Sequence, residues 1–145
     1  MYSLRIAESV YIGVLDVTAA SLWYIEKLGL QEGVSMEDEE GCLSLGFSKK
    51  EMTSITVGPR GRATDGNTPM LYASNVEKAR EKLASRGVSV GPIEEDRQGT
   101  HYFVMRDLDG NQIEITKEPR TKREARPYAN AQTTPASKIL PYTTV

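Results

Sequence analysis

Apolar and polar residues follow two different periods in the first part of the chain. Residues 4–16 contain the alternating stretch SVYIGVL, which predicts a β-strand. Residues 17–28 carry apolar side chains at helical spacing, with Thr18 as the predicted N-cap and Gly29 as the stop. Three short strands are predicted to follow, around residues 31–36, 41–47 and 52–57. This half is therefore predicted to form the order β-α-β-β-β.

The same order of elements repeats after a Gly-rich polar stretch at residues 58–67. Residues 70–74 predict a strand, and the helix after it has Asn75 as its predicted N-cap and Gly87 at its end. Three more strands are predicted at residues 88–93, 100–107 and 111–116.

The two halves are related by a nearly constant shift in sequence. Asp16 and Asn75, which precede the two helices, are 59 residues apart, and SITVGP at 54–59 precedes EITKEP at 114–119 by 60. A repeat of this size is typical of a duplicated module whose copies pack together. We therefore predict an α+β fold in one domain at residues 1–118, with module one at about 4–60 and module two at about 66–118.

Residues 119–145 form a tail that lacks the periodicity of the body. The tail has four prolines and a net charge of +4, which leaves −6 on the rest of the chain because the total is −2. Its composition resembles that of irregular segments. We expect the tail to be irregular and to dock on the body or on a partner subunit through its apolar residues Ile139, Leu140 and Tyr142.

Composition and charge exclude several classes of protein. The net charge of −2 argues against a dedicated nucleic-acid binder. The sequence shows no apolar run long enough to span a bilayer and no charged-then-apolar leader, so a cytoplasmic location without a membrane partner is expected. A single cysteine and a single histidine cannot form a Cys/His zinc cluster.

Three stretches carry a resemblance to a known family. They are VYIGVLDVTAASLWYIEKLGL at the first strand and helix, LYASNVEKAREKLASRGVSV at the second, and YFVMRDLDGNQIEI at the close. In this order they resemble the vicinal oxygen chelate superfamily, which includes glyoxalase I, bleomycin-resistance proteins and extradiol dioxygenases. The resemblance implies two paired βαβββ modules that form a cup-shaped curved sheet, usually completed in a homodimer.

The resemblance also implies where metal-using members of the superfamily hold their ligands. The four positions, one on the first and one on the last strand of each module, correspond here to Ser9, Ser54, Thr68 and Glu114. Hydroxyl side chains are poor ligands for Zn²⁺, Ni²⁺ or Fe²⁺, which prefer imidazole, thiolate and carboxylate. We therefore expect no divalent metal and no other cofactor.

Strand alternation predicts what lines the implied cup. The side chains that share a face with the four positions are those of Tyr11, Met70, Tyr72 and Gln112. With Ser9, Ser54, Thr68 and Glu114 they make a mixed aromatic and polar surface. Such a surface suits a planar or amphipathic organic molecule.

Three functions follow from this surface, and the sequence leaves open whether the protein is an enzyme. The first is a binding protein that sequesters a small organic, aromatic or antibiotic-like molecule. The second is a metal-independent lyase or isomerase in which Glu114, alone or with His101, moves a proton, since burial can raise the pKa of a carboxyl group toward neutrality. The third is an interaction domain with a vestigial cup. A metal-dependent glyoxalase or dioxygenase has the least support, because the ligand positions lack histidine.

Overall fold

A computed structural model describes residues 3–32, 41–48, 50–61 and 68–119 of the chain. The predicted strand at 31–36 is therefore seen only in its first two residues. The predicted docking of the tail, including Ile139, Leu140 and Tyr142, lies outside the described residues.

Two βαβββ units follow one another, as predicted, with a short strand before the first and one additional two-residue strand within the second. The first strand, β1, covers Leu4–Ile6. The first unit consists of β2 (Val10–Val14), α1 (Val17–Leu28), β3 (Gln31–Glu32), β4 (Leu43–Gly46) and β5 (Ile55–Pro59). The second consists of β6 (Met70–Ala73), α2 (Val76–Ser85), β7 (Ser89–Val90), β8 (Glu94–Glu95), β9 (His101–Arg106) and β10 (Gln112–Lys117).

The strands form two separate sheets with matching topology. The first sheet has the order β2-β5-β4-β3, and the second has the order β1-β6-β10-β9-β7 with β8 also paired to β9. In each unit the first and last strands are parallel neighbours, and the other pairings are antiparallel. The mixed α+β architecture of two βαβββ units is thus confirmed.

The single strand predicted over residues 4–16 is wrong, because the chain changes sheet within it. β1 pairs with β6 of the second sheet, whereas β2 pairs with β5 of the first. Between them the Ala7 N–H donates to Met70 O (3.0 Å) and the Val10 N–H donates to Ser54 O (3.1 Å). The segment at residues 7–9 therefore joins the two sheets at the start of their first strands.

The helix ends follow local capping chemistry, with one correction. The N-cap of α1 is Asp16 rather than Thr18, because Asp16 has an extended backbone and its carboxylate accepts from the Ala19 N–H at 3.0 Å. Asn75 caps α2 as predicted and accepts from the Lys78 N–H at 2.9 Å. Gly29 ends α1 in the left-handed conformation (φ 81°), which glycine adopts without strain.

One hydrophobic core unites both units. Its buried members come from the two helices and from one face of each sheet, and they include Val10, Ile12, Ile55, Val57, Leu71, Phe103, Met105, Ile113 and Ile115. The opposite face of each sheet is called here the cup face. Four buried apolar side chains lie outside this core cluster. Strand alternation places Met70, Tyr102 and Val104 on the cup face, and Cys42 lies there because its Sγ approaches the Cβ position of Gly58. In the described part of the chain, no helix is long and apolar enough to cross a membrane.

Candidate functional site

The cup face of the second sheet is arranged in rows across its strands. One row runs Met70–Glu114–Val104, and the next runs Tyr72–Thr116–Tyr102. Glu114 is 3% exposed and Thr116 is 1% exposed, so the centre of this face is buried. Ile113 and Ile115 point into the core from the same strand, as the alternation predicts.

A third row, further along β10 and β9, is more open. It pairs Gln112, which is exposed, with Arg106, which is half-buried. Gln112 was predicted to line the cup, and Arg106 was not. The signal that identifies Arg106 is register, because residues opposite each other in an antiparallel pair share a face of the sheet.

The predicted ligand positions fall into two local pairs. Ser9 Oγ accepts from the Ser54 N–H at 3.0 Å, and the Glu114 N–H donates to the carbonyl of Pro69, the residue after Thr68, at 2.9 Å. Ser9 and Thr68 are exposed, Ser54 is half-buried and Glu114 is buried. The segment at residues 7–9 connects the pairs.

Strand register and the constant shift of 60 assign different counterparts of Glu114 in the first sheet. Tyr11 and Met70 each lie three residues before the end of their strands, and they pair with Thr56 and Glu114, respectively. Thr56 therefore occupies in the first sheet the position that Glu114 occupies in the second, whereas Ser54 lies two residues before it. Both Thr56 and Ser54 have a hydroxyl side chain, so either residue places a hydroxyl at this position.

These positions do not fit the metal that the superfamily implies. Three hydroxyls and one carboxylate are a weak donor set for a divalent transition metal. Among the described residues, no three His, Cys, Asp or Glu side chains are grouped so that they could hold a metal ion.

His101 lies on the helix side of the second sheet, away from Glu114. Val104 is the partner of Glu114, so strand alternation places His101 on the opposite face. There its Nδ1 is 2.8 Å from Glu77 Oε2 on α2, and its Nε2 is 4.0 Å from Glu95 Oε2. The hydrogen bond from His101 lowers the pKa of Glu77. The structure therefore does not bring the two predicted proton carriers together.

The cup face of the first sheet is closed around a glycine. The Tyr11 hydroxyl donates to Pro59 O at 2.7 Å. A Cβ on Gly58 would lie 2.5 Å from Tyr11 Oη and 2.6 Å from Cys42 Sγ, so only glycine fits beneath these two side chains. Tyr11 is thus held over the backbone of β5.

β1 adds a cation to the edge of the second sheet. Arg5 is the register partner of Tyr72, and its guanidinium carbon lies 4.9 Å from the centre of the Tyr72 ring. Arg5 Nε also donates to Glu118 Oε1 at 2.7 Å. Sequence alternation missed Arg5, because residues 4–16 were predicted to form one strand in the first module.

The turn after β9 binds the two units together through Asp107, which is buried. Its Oδ1 accepts from the N–H groups of Asp109 (2.9 Å) and Asn111 (2.7 Å), which fixes the turn. Its Oδ2 accepts from the hydroxyl of Tyr24 on α1 at 2.6 Å. Burial, followed by the charge of Asp107, raises the pKa of Tyr24 well above its ordinary value.

The rest of the turn contacts the first unit at its surface. Asp109 Oδ2 accepts from the Leu15 N–H at 3.0 Å and lies 3.4 Å from the Arg60 guanidinium. Asn111 Nδ2 donates to Gly13 O at 3.1 Å. The stretch that marks the family in sequence is therefore a docking element between the units.

Comparisons with known proteins agree with this architecture. The family model described as the Glyoxalase/Bleomycin resistance protein/Dioxygenase superfamily matches residues 6–115. No curated protein matches the chain significantly.

Solved structures with the same fold include proteins of different kinds. A member of this superfamily from Sphaerobacter thermophilus is 24% identical (TM-score 0.63), and the match covers 77% of this chain and 95% of that one. TnmS3, an antibiotic binding protein from a Streptomyces species, is 20% identical (TM-score 0.61; 74% and 90% covered). A lactoylglutathione lyase from Agrobacterium tumefaciens is 15% identical (TM-score 0.59; 76% and 91% covered). These likenesses concern the fold. Together with the family match over most of the chain, they show that this protein belongs to the glyoxalase/bleomycin resistance protein/dioxygenase superfamily.

Proposed function

We propose that this protein binds a small, planar organic molecule on its cup face and that binding requires no metal. The observation that carries the proposal is the composition of the second cup face. Tyr72 and Tyr102 lie in one row and Met70 in the next, beside the buried carboxylate of Glu114. Aromatic and thioether side chains contact planar ligands over large apolar areas, and the few polar groups among them orient the ligand.

The fold is compatible with binding and with catalysis, because similar structures include an antibiotic binding protein and a lyase. The residues at the ligand positions favour binding without metal. A hydroxyl at three of the four positions leaves no set of strong donors for a Lewis-acidic ion.

A second candidate function rests on Glu114. This carboxylate is 3% exposed and lies between Met70 and Val104 in its row. A positioned, buried carboxyl can act as a general acid or base in an isomerase or lyase. His101 does not support it there, since it lies on the other face of the sheet.

Ligand screening with product analysis separates the two functions. A panel of planar aromatic compounds is incubated with the protein, and complexes and products are measured by native mass spectrometry and chromatography. We expect 1:1 complexes that release the compound unchanged and whose affinity is insensitive to EDTA. Glu114→Gln should weaken the affinity about 3- to 10-fold through loss of a charge-assisted contact, and Glu81→Gln, at an exposed site on α2, should not.

Conversion of a bound compound that is lost in Glu114→Gln, with affinity retained, would establish the enzymatic function instead. A stoichiometric transition metal in the purified protein, or affinity lost with EDTA, would contradict the metal-free proposal.

We further propose that the protein is a homodimer and that residues 119–145 contribute to its assembly, as the family resemblance and the apolar residues of the tail suggest. Sedimentation of the full chain is expected to give twice the 16.1 kDa of one chain. Truncation after Glu118 should lower that mass or change the labelling of Cys42 on the cup face. Identical mass and labelling in both forms would contradict a role for the tail.

A further inference from the structure

The side chain of Thr116 is one of the most deeply buried polar groups of the cup face. It is 1% exposed, and within the described part of the chain its Oγ1 is buried without a hydrogen-bond partner. A buried hydroxyl that lacks a partner destabilises the fold, so such a group is uncommon unless a water molecule or a ligand supplies the missing bond.

The first sheet offers a matched case in which the hydroxyl has a partner. Thr56 is likewise a threonine on the cup face of the last strand of its unit. Its Oγ1 lies 3.2 Å from Ser44 Oγ on the neighbouring strand. On the strand next to Thr116, the register partner is Tyr102. Although Thr56 corresponds in register to Glu114 rather than to Thr116, it shows the contrast: the strand beside Thr56 presents a hydroxyl, and the strand beside Thr116 presents an aromatic side chain.

Thr116 lies between two tyrosines of the same row. Its register partners are Tyr72 on β6 and Tyr102 on β9, and neighbouring strands are about 4.8 Å apart, which puts the two tyrosine backbones about 10 Å apart. A ring placed between two facing rings needs about 7 to 8 Å, since carbon atoms in contact are about 3.5 to 4 Å apart. The row is therefore wide enough for one planar ring system.

Arg5 supports the outer wall of this row. It lies on β1, which flanks β6 on the side opposite β10, and its guanidinium stacks on Tyr72 while Glu118 holds it. Arg5 therefore approaches Tyr72 from the side away from Thr116. The side of Tyr72 toward Thr116 is the one left for a ligand.

We propose that Tyr72 and Tyr102 form the walls of an aromatic slot and that Thr116 is its floor, where the hydroxyl donates a hydrogen bond to an edge carbonyl of a planar aromatic ligand. This inference rests on the proposed function and narrows its ligand class to aromatic carbonyl compounds. The slot is closed in this structure, because Thr116 is 1% exposed. Ligand entry requires Tyr72, the half-buried wall, to swing outward.

Two fragments and two matched variants test the slot. The fragments are 4-quinolone, which has an edge carbonyl, and quinoline, which lacks it. Both are titrated at millimolar concentration while the methyl signals of Thr116 and Met70 are followed by NMR. The variants are Thr116→Val and Thr56→Val, which remove the hydroxyl and nearly keep the side-chain volume.

In the wild-type protein we expect 4-quinolone to shift both methyl signals. Thr116→Val should weaken the affinity for 4-quinolone about 3- to 10-fold and leave the affinity for quinoline unchanged, because only the carbonyl compound loses a hydrogen bond. Without ligand, Thr116→Val should keep or raise the melting temperature, whereas Thr56→Val should lower it by breaking the bond to Ser44.

Equal affinity of Thr116→Val and wild type for 4-quinolone would overturn the slot while the proposed function stands. A decrease in the melting temperature of Thr116→Val as large as that of Thr56→Val would also overturn the slot, because the Thr116 hydroxyl would then already have a partner. If neither fragment shifts any cup-face signal of the wild type, and the wider aromatic panel also fails to bind, the proposed function fails and the slot fails with it.

Discussion

At the scale of single residues, two tyrosines differ in the acceptor that each hydroxyl finds. Tyr24 donates to the carboxylate of Asp107 at 2.6 Å, and Tyr11 donates to the neutral carbonyl of Pro59 at 2.7 Å. Hydrogen bonds to charged acceptors contribute about 1.5 to 3 kcal/mol, and those between neutral groups contribute about 0.5 to 1.5 kcal/mol. The same change, tyrosine to phenylalanine, should therefore have unequal effects.

We expect Tyr24→Phe to lower the free energy of unfolding by about 1.5 to 3 kcal/mol, and Tyr11→Phe by about half as much. Urea denaturation of both variants measures the difference, and an unchanged denaturant slope would show that only stability has altered. Equal losses would mean that the charge of Asp107 adds nothing to its bond with Tyr24.

At the scale of secondary-structure elements, hydrophobic periodicity correctly predicted which side chains enter the core where a predicted strand lies in a single sheet. The alternation in β10 correctly separates Ile113 and Ile115, which enter the core, from Gln112, Glu114 and Thr116. The helices and their end at Gly29 were likewise predictable from apolar spacing and from the glycine.

Other features depend on contacts that are distant in sequence. The break between β1 and β2 is not visible in the alternation, because both strands bury apolar side chains in the same core and only their hydrogen-bond partners differ. Thr18 and Asp16 are both good capping residues two positions apart. The extended backbone at Asp16 identifies it as the N-cap of α1.

The candidate site was predicted only in part for the same reason. Parity along each strand places Tyr72 on β6, and Glu114 and Thr116 on β10, on the cup face, but register across strands is needed to add Tyr102. Register also replaces Ser54 by Thr56 as the counterpart of Glu114. A constant shift cannot detect this, because the two units are offset by 59 residues at their first strands and by 58 at their last.

At the scale of the whole molecule, the two units share a core, and the buried hydrogen bond from Tyr24 to Asp107 joins them. Burial and the Asp107 charge raise the pKa of Tyr24 above its ordinary value of 10.0. The folded protein therefore keeps the Tyr24 proton at pH values where the unfolded chain loses it. The stability that this contact contributes is complete below pH 10.0 and falls as the pH rises above it.

We expect the free energy of unfolding to fall above pH 10 by about 1.4 kcal/mol per pH unit more in the wild type than in Tyr24→Phe. Denaturation of both proteins at pH 8 and at pH 11 measures this difference, since the other titrating groups are common to both. Because the contact joins the units, Trp23 fluorescence in α1 and amide NMR signals of β9 and β10 should be lost in one transition. Separate transitions, or the same pH dependence in both proteins, would show that the ionisation of Tyr24 does not control the cohesion of the two units.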